Sequence, residues 1–195
     1  DNTSWDFAKF EVCHHKWLDV SENGYGVSMI NDCKYGVSVR GGLIGMSMLK
    51  SAIHPNPDAD KEMHEFTYSI YPHQGDWRAA GTVTQAYQVN NPLTAVWKEN
   101  ETGSESPVYS FVSSDQENAV VEVVKKAEDS DDVIVRLYEC YNRRTPVTLT
   151  FGKKLDKVYE CNMMEEGEIP VEFSENQAVF EMKPYEIKTL KVKMK

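Results

Sequence analysis

The sequence predicts a mostly β protein: an antiparallel β-sandwich with one short helix near residues 77–89 and a second, smaller β-sandwich unit. Three observations predict it. Runs rich in β-branched and aromatic residues recur along the chain, among them Val121–Val124, Val133–Tyr138 and Val147–Phe151. Turn formers separate such runs at short spacing, and Gly41-Gly42 between Val37–Arg40 and Leu43–Met48 has the composition of a two-residue hairpin turn. Elsewhere apolar and polar residues alternate with period two.

The alternation is plainest in two places. His64, Phe66, Tyr68 and Ile70 interleave with Glu65, Thr67, Ser69 and Tyr71, as on a strand with one wetter face. At the C-terminus Leu190, Val192 and Met194 form a core face. Lys191, Lys193 and Lys195 form a lysine face of the kind that discourages edge-to-edge pairing. The helix is predicted from Trp77, Ala80, Val83 and Tyr87 at helical spacing. Asp76 stands where a cap is needed, and Asn90-Asn91-Pro92 stops the helix. Two prolines make 55–60 a loop. The polar stretch Lys98–Pro107 reads as a linker, which divides the chain into units 1–103 and 104–195.

Composition excludes whole classes of function. The 195 residues carry 31 acidic and 21 basic side chains, a net charge of −10. Such a surface repels phosphate backbones and anionic lipid, so neither nucleic acid nor a membrane is an expected partner. No apolar run approaches the ~18 residues of a membrane span. Asp1–Trp5 lack the charged and apolar regions of a signal peptide and read as an interior piece of a longer chain. Cys13, Cys33, Cys140 and Cys161 are too far apart in sequence for a zinc knuckle or a redox pair. They are expected as free, mostly buried thiols in a reducing, cytoplasmic setting.

Constellations that carry chemistry are scarce. His14 and His15 are neighbours, and on a strand neighbours point to opposite faces, so the two do not converge on a metal. His54, His64 and His73 show no ligand spacing. The run Glu128–Asp132 lacks the glycine and distant glutamate of a helix–loop–helix calcium site and reads as a hairpin turn. Arg136 and Glu139 read as a cross-strand or interdomain ion pair. Trp17, Tyr25, Tyr35, Trp77 and Trp97 suit either sugar stacking or core packing. No nucleophile elbow or phosphate-cradling loop is present.

Ordered segments across nearly the whole chain nonetheless carry a resemblance. They include Phe10–Glu22, Tyr25–Gly36, Ser47–Ser51, His64–Tyr68, Tyr71–Trp77 and Asn90–Leu93, then Val124–Asp129, Arg136–Glu139 and Lys183–Leu190. Together they resemble the C-terminal β region of glycoside hydrolase family 38, the α-mannosidases, in its cytosolic and bacterial branch. The most specific stretches are Asn31–Gly36 and Tyr71–Trp77.

The resemblance implies a supersandwich-like fold, with residues 1–103 part of a large β-sandwich and 104–195 a C-terminal sandwich unit. It implies a parent enzyme that hydrolyses α-mannosides with retention, using zinc and an aspartate nucleophile in an N-terminal catalytic domain. None of those motifs matches here, so the implied role is non-catalytic, without a cofactor of its own. That role is packing on the catalytic domain, with a loop lent to the sugar pocket. Asp32, Lys34 and Tyr35 of the Asn31–Gly36 turn are the candidates for that loop, as acceptor, balancing charge and stacking ring. His73 and Trp77 are the second pair. The alternative reading is a free-standing carbohydrate-binding β-sandwich module. Truncated from its neighbours, such a sandwich is expected to self-associate.

Overall fold

The computed structural model describes residues 9–99 and 106–195, together with Ser4 and Gly103. Among the described residues it is mostly antiparallel β with one helix of more than a turn, and the chain divides into two compact units, Asp1–Glu99 and Asn100–Lys195. Half of the predicted linker 98–107 lies outside the described residues.

In the first unit the elements are β1 (Val12–Cys13), β2 (Trp17–Glu22), β3 (Tyr25–Asn31), β4 (Gly36–Arg40), β5 (Leu43–Met46), β6 (Tyr68–Gln74) and α1 (Thr82–Asn90). They form two three-stranded sheets, β1-β4-β5 and β2-β3-β6. The β4–β5 turn has φ of 54° at Gly41 and 83° at Gly42, which explains the glycine pair.

Two predictions in this unit need correction. The helix begins at Thr82 rather than Trp77, because Gly81 adopts φ 64° and breaks the helical path. Asp76 instead caps a separate turn, accepting from the amides of Arg78 (3.1 Å) and Ala79 (3.0 Å). The second correction concerns the strand predicted from His64. Pairing starts only at Tyr68, and its faces are reversed: Ile70 is 65% exposed while His73 is 8% exposed.

The reversal has a physical cause in the polar residues that register places side by side. Asp19 stands opposite Ser28, which stands opposite Tyr71; Ser21 stands opposite Gly26, which stands opposite His73. The Asp19 carboxylate accepts from His73 Nε2 and from Ser28 Oγ, each at 2.7 Å. Ser28 Oγ also meets Thr82 Oγ1 at 2.8 Å, which ties the start of α1 to β3. The end of α1 is tied as well, Asn90 Nδ2 donating to the Asn31 carbonyl at 3.0 Å. These bonds offset part of the cost of burying the groups, while Asp19 Oδ2 and His73 Nδ1 are left without a hydrogen-bond partner among the described residues. Gly26 is required there, since a Cβ would come within 2.4 Å of His73 Cε1.

The second unit contains β7 (Val112–Ser114), β8 (Ala119–Lys126), β9 (Val133–Glu139), β10 (Thr145–Phe151), β11 (Leu155–Cys161), β12 (Ile169–Pro170), β13 (Glu172–Ser174), β14 (Gln177–Met182) and β15 (Ile187–Met194). A four-stranded sheet, β13-β14-β10-β7, and a five-stranded sheet, β12-β11-β15-β9-β8, enclose a core of Leu137, Leu149, Phe151, Leu155 and Leu190. Burying each such side chain contributes about 1.5–3 kcal/mol. The contrast with the first unit is sharp. There the buried apolar side chains, among the described residues, are Ile30, Val37, Val83 and Ala86.

Three further expectations are revised. β15 is the central strand of its sheet, between β11 and β9, so its lysines guard no edge. Lys191 pairs with Glu168 at 2.9 Å on the outer face, and Lys188, on the core parity, is buried against Glu160 at 2.7 Å. None of the four thiols is in a disulfide, but Cys161 alone is buried; Cys13 sits on a two-residue edge strand and Cys33 in a turn, away from any core. Arg136 and Glu139 do not pair, because an odd spacing of three puts them on opposite faces of β9. Arg136 donates to Thr189 Oγ1 (3.0 Å) and the Met163 carbonyl (3.1 Å).

Glu139 is 1% exposed and gathers the loops at one end of the sandwich. It accepts from Asn118 Nδ2 (2.7 Å) and from the amides of Tyr141 (2.7 Å), Asn142 (2.9 Å), Arg143 (3.3 Å) and Tyr185 (2.9 Å). Burial alone pushes its carboxyl up, but these donors outweigh burial and hold it below the usual carboxylate range. A depressed folded value contributes stability that is complete above the ordinary glutamate value and lost as pH falls through the folded one. Glu139→Gln should therefore cost about 2 kcal/mol at neutral pH, on the order of 10 °C in melting temperature for a unit of this size. The gap from wild type should narrow on acidification, as calorimetric melts at pH 7 and pH 3 will show.

Candidate functional site

The Asn31–Gly36 turn leaves β3 and enters β4, which belong to different sheets, so the chain crosses between layers instead of forming a hairpin. Its conformation is held from inside. Fully buried Asn31 donates through Nδ2 to His14 Nε2 at 2.8 Å, and its Oδ1 accepts from the Lys34 amide at 2.8 Å. With Nε2 acting as acceptor, Nδ1 carries the imidazole proton and donates to the Tyr35 carbonyl at 2.9 Å. Burial pushes the His14 imidazole below its ordinary value, in keeping with a neutral ring. His15 is exposed, its ring edge-on to Tyr35 at 4.8 Å between centroids. Sequence reasoning missed His14 as a support, because nothing in a spacing of seventeen residues signals a contact with Asn31.

The candidates on this turn do not all converge. Asp32 pairs with the segment preceding β6. Its amide donates to the Thr67 carbonyl (3.2 Å), and its Oδ2 accepts from the Thr67 amide (2.9 Å). The Cys33 thiol beside it and the Thr67 amide hold the Asp32 carboxyl below the usual carboxylate range. Asp32 lines a shallow polar cleft with His64, Glu65, Phe66 and Thr67. Lys34 Nζ lies 4.9 Å from the centre of the Phe66 ring at its margin. Tyr35 is turned back on the chain, its hydroxyl donating to the Asp32 carbonyl at 3.4 Å, and it does not line the cleft. The cleft is lined by an ionised carboxylate, whose Oδ1 is buried without a hydrogen-bond partner among the described residues, and by the Phe66 ring. His64, Glu65, Phe66 and Thr67 were legible only as a strand, and that reading hid them as site residues.

His73 and Trp77 belong elsewhere. His73 is committed to Asp19 beneath α1, and Trp77 packs on Trp17 with ring centroids 5.0 Å apart, the Arg78 guanidinium 4.2 Å above it. Of the other aromatic candidates, Tyr25 is 52% and Trp97 88% exposed. Among the described residues no three His, Cys, Asp or Glu side chains come together to hold a metal ion, so the zinc implied by the resemblance finds no ligand set here. Among those residues, too, no helix is long and apolar enough to cross a membrane.

Comparison with known proteins connects this arrangement to a family. Residues 1–58 match the family model described as the glycosyl hydrolases family 38 C-terminal domain, and residues 118–190 match that of the family 38 C-terminal beta sandwich domain. The chain is 38% identical over 194 residues to alpha-mannosidase G of Dictyostelium discoideum, covering 97% of this chain and 18% of that protein. It is 38% identical over 167 residues to human alpha-mannosidase 2C1, covering 84% of this chain and 16% of that protein. The crystal structure of an alpha-mannosidase from Enterococcus faecalis V583 has the same fold, with a TM-score of 0.75 at 18% identity over 94% of this chain and 21% of that one. The chain thus spans about a fifth of the length of the proteins it matches. Its two β units, reading in order through both C-terminal families, place it in glycosyl hydrolase family 38 as a C-terminal region of such enzymes.

Proposed function

We propose that this chain is the non-catalytic β region of a retaining, cytoplasmic α-mannosidase, made of units 1–103 and 104–195, which packs on a catalytic part outside this sequence and helps to shape its sugar pocket. One observation carries the reading. Identity to proteins named as alpha-mannosidases runs through nearly the whole chain, which spans about a fifth of their length. By family resemblance the zinc and the nucleophile of the reaction belong to the part outside this sequence, and α-mannosides are the substrates. Exposed free thiols at Cys13 and Cys33 suit a reducing compartment. Within this chain the Asp32 turn is the portion lent to the pocket. Its carboxylate, held ionised by the Cys33 thiol and the Thr67 amide, accepts from sugar hydroxyls, and Lys34 balances the charge.

The direct test is an assay with an aryl α-mannoside. The full-length polypeptide should hydrolyse it and the 195-residue chain should not; turnover by the chain alone would overturn the reading. Mannoside binding by the chain alone, measured by calorimetry, would favour a carbohydrate-binding module instead. In the full-length polypeptide Asp32→Ala should lower kcat/KM about tenfold, the worth of one charge-assisted hydrogen bond. Unchanged kinetics would remove the turn from the pocket. The neutral His14 that braces this turn has a folded value below its unfolded one. Its contribution is thus complete above the ordinary histidine range and lost as pH falls through the folded value. In NMR titrations the His14 ring should protonate at lower pH than an unstructured histidine, and the amides of residues 31–36 should shift in step with it.

A further inference from the structure

The β2-β3-β6 sheet is covered on its polar face and open on its apolar one. Beneath α1 lie Asp19, Ser28 and His73, hydrogen-bonded as described. On the opposite face, register sets Leu18 beside Met29 and Ile70, and Val20 beside Val27 and Pro72. That face is the floor of an apolar groove of about 470 Å³ walled by Ile44 of β5 and the Gly42 turn. Ile70 is 65% exposed, Leu18, Val20, Val27 and Met29 are half-buried, and the buried apolar side chains of the unit, among the described residues, are four. A partly exposed face of this composition is costly and marks an interaction surface.

We infer that this groove is the seat of an apolar segment from the remainder of the same polypeptide, the part that the relatives carry and this chain lacks. The inference rests on the proposed function and names the surface through which that packing occurs. Length argues for this occupant. Alpha-mannosidase G and alpha-mannosidase 2C1 each hold more than four-fifths of their chain outside the matched region, ample to cover one sheet face. Covalent linkage argues for it too, since a tethered segment is present at an effective concentration on the order of millimolar, far above that of a second molecule. Glu22 and Gln74 stand at one end of the two outer strands, the polar margin expected around such a seat.

Thiol footprinting tests this. Ile70→Cys, and at the margin Tyr25→Cys, place a thiol on the face at positions exposed enough to leave the fold intact. Labelling by a maleimide is read peptide by peptide, because Cys13 and Cys33 are also exposed. The expected result is rapid labelling of position 70 in the 195-residue chain and labelling at least tenfold slower in the full-length polypeptide. Equal rates in the two would overturn the inference. So would protection in the 195-residue chain that vanishes on dilution, which would make a second copy the occupant. Failure of the wild-type full-length polypeptide to hydrolyse α-mannosides would defeat the proposed function but leave the footprint readable.

Discussion

The Asp19 carboxylate decides which way the first unit faces. Its side chain is 3% exposed, and a charge so placed must find donors. It finds Ser28 on the adjacent strand β3 and His73 on β6 beyond it, and Ser28 passes the network on to Thr82 at the head of the helix. Once those groups turn inward, period-two geometry sends Val20, Val27, Met29 and Ile70 outward. The position of α1, the need for glycine at 26 and the open apolar groove all follow from that choice.

The second unit shows the opposite economy. Apolar residues of β9, β10, β11, β14 and β15 meet between two sheets, and polar groups are kept to the ends of the sandwich. There Glu139 collects five N–H donors and Lys188 pairs with Glu160. This unit has a closed core, whereas the described residues of the first bury few apolar side chains.

The candidate site lies at the margin of the first unit, and its precision comes from second-line contacts. Asp32 is positioned by an exchange of hydrogen bonds with Thr67, and the turn that carries it is braced by Asn31 and His14. Sequence reasoning located the turn by its residue types and by family resemblance. It named Tyr35 and His73 as pocket candidates; in the structure the Tyr35 ring packs on His15, and His73 bonds to the buried Asp19 carboxylate. A polar or aromatic residue has the same appearance in sequence whether its partner is a ligand or another side chain.

The sequence by itself determined the β character of the chain, the Gly41-Gly42 hairpin, the strands at 133–138 and 147–151, the stop of the helix at Asn90-Asn91-Pro92 and the membership of family 38. Each of these rests on local conformational preference or on ordered similarity. Only the tertiary structure decided that Gly81 delays the helix to Thr82, that β15 is central, that Arg136 and Glu139 serve separate networks, and that Ile70 faces out while His73 faces in. Alternation reveals that a strand has two faces; which face is interior depends on the partners that other strands and the helix bring to it.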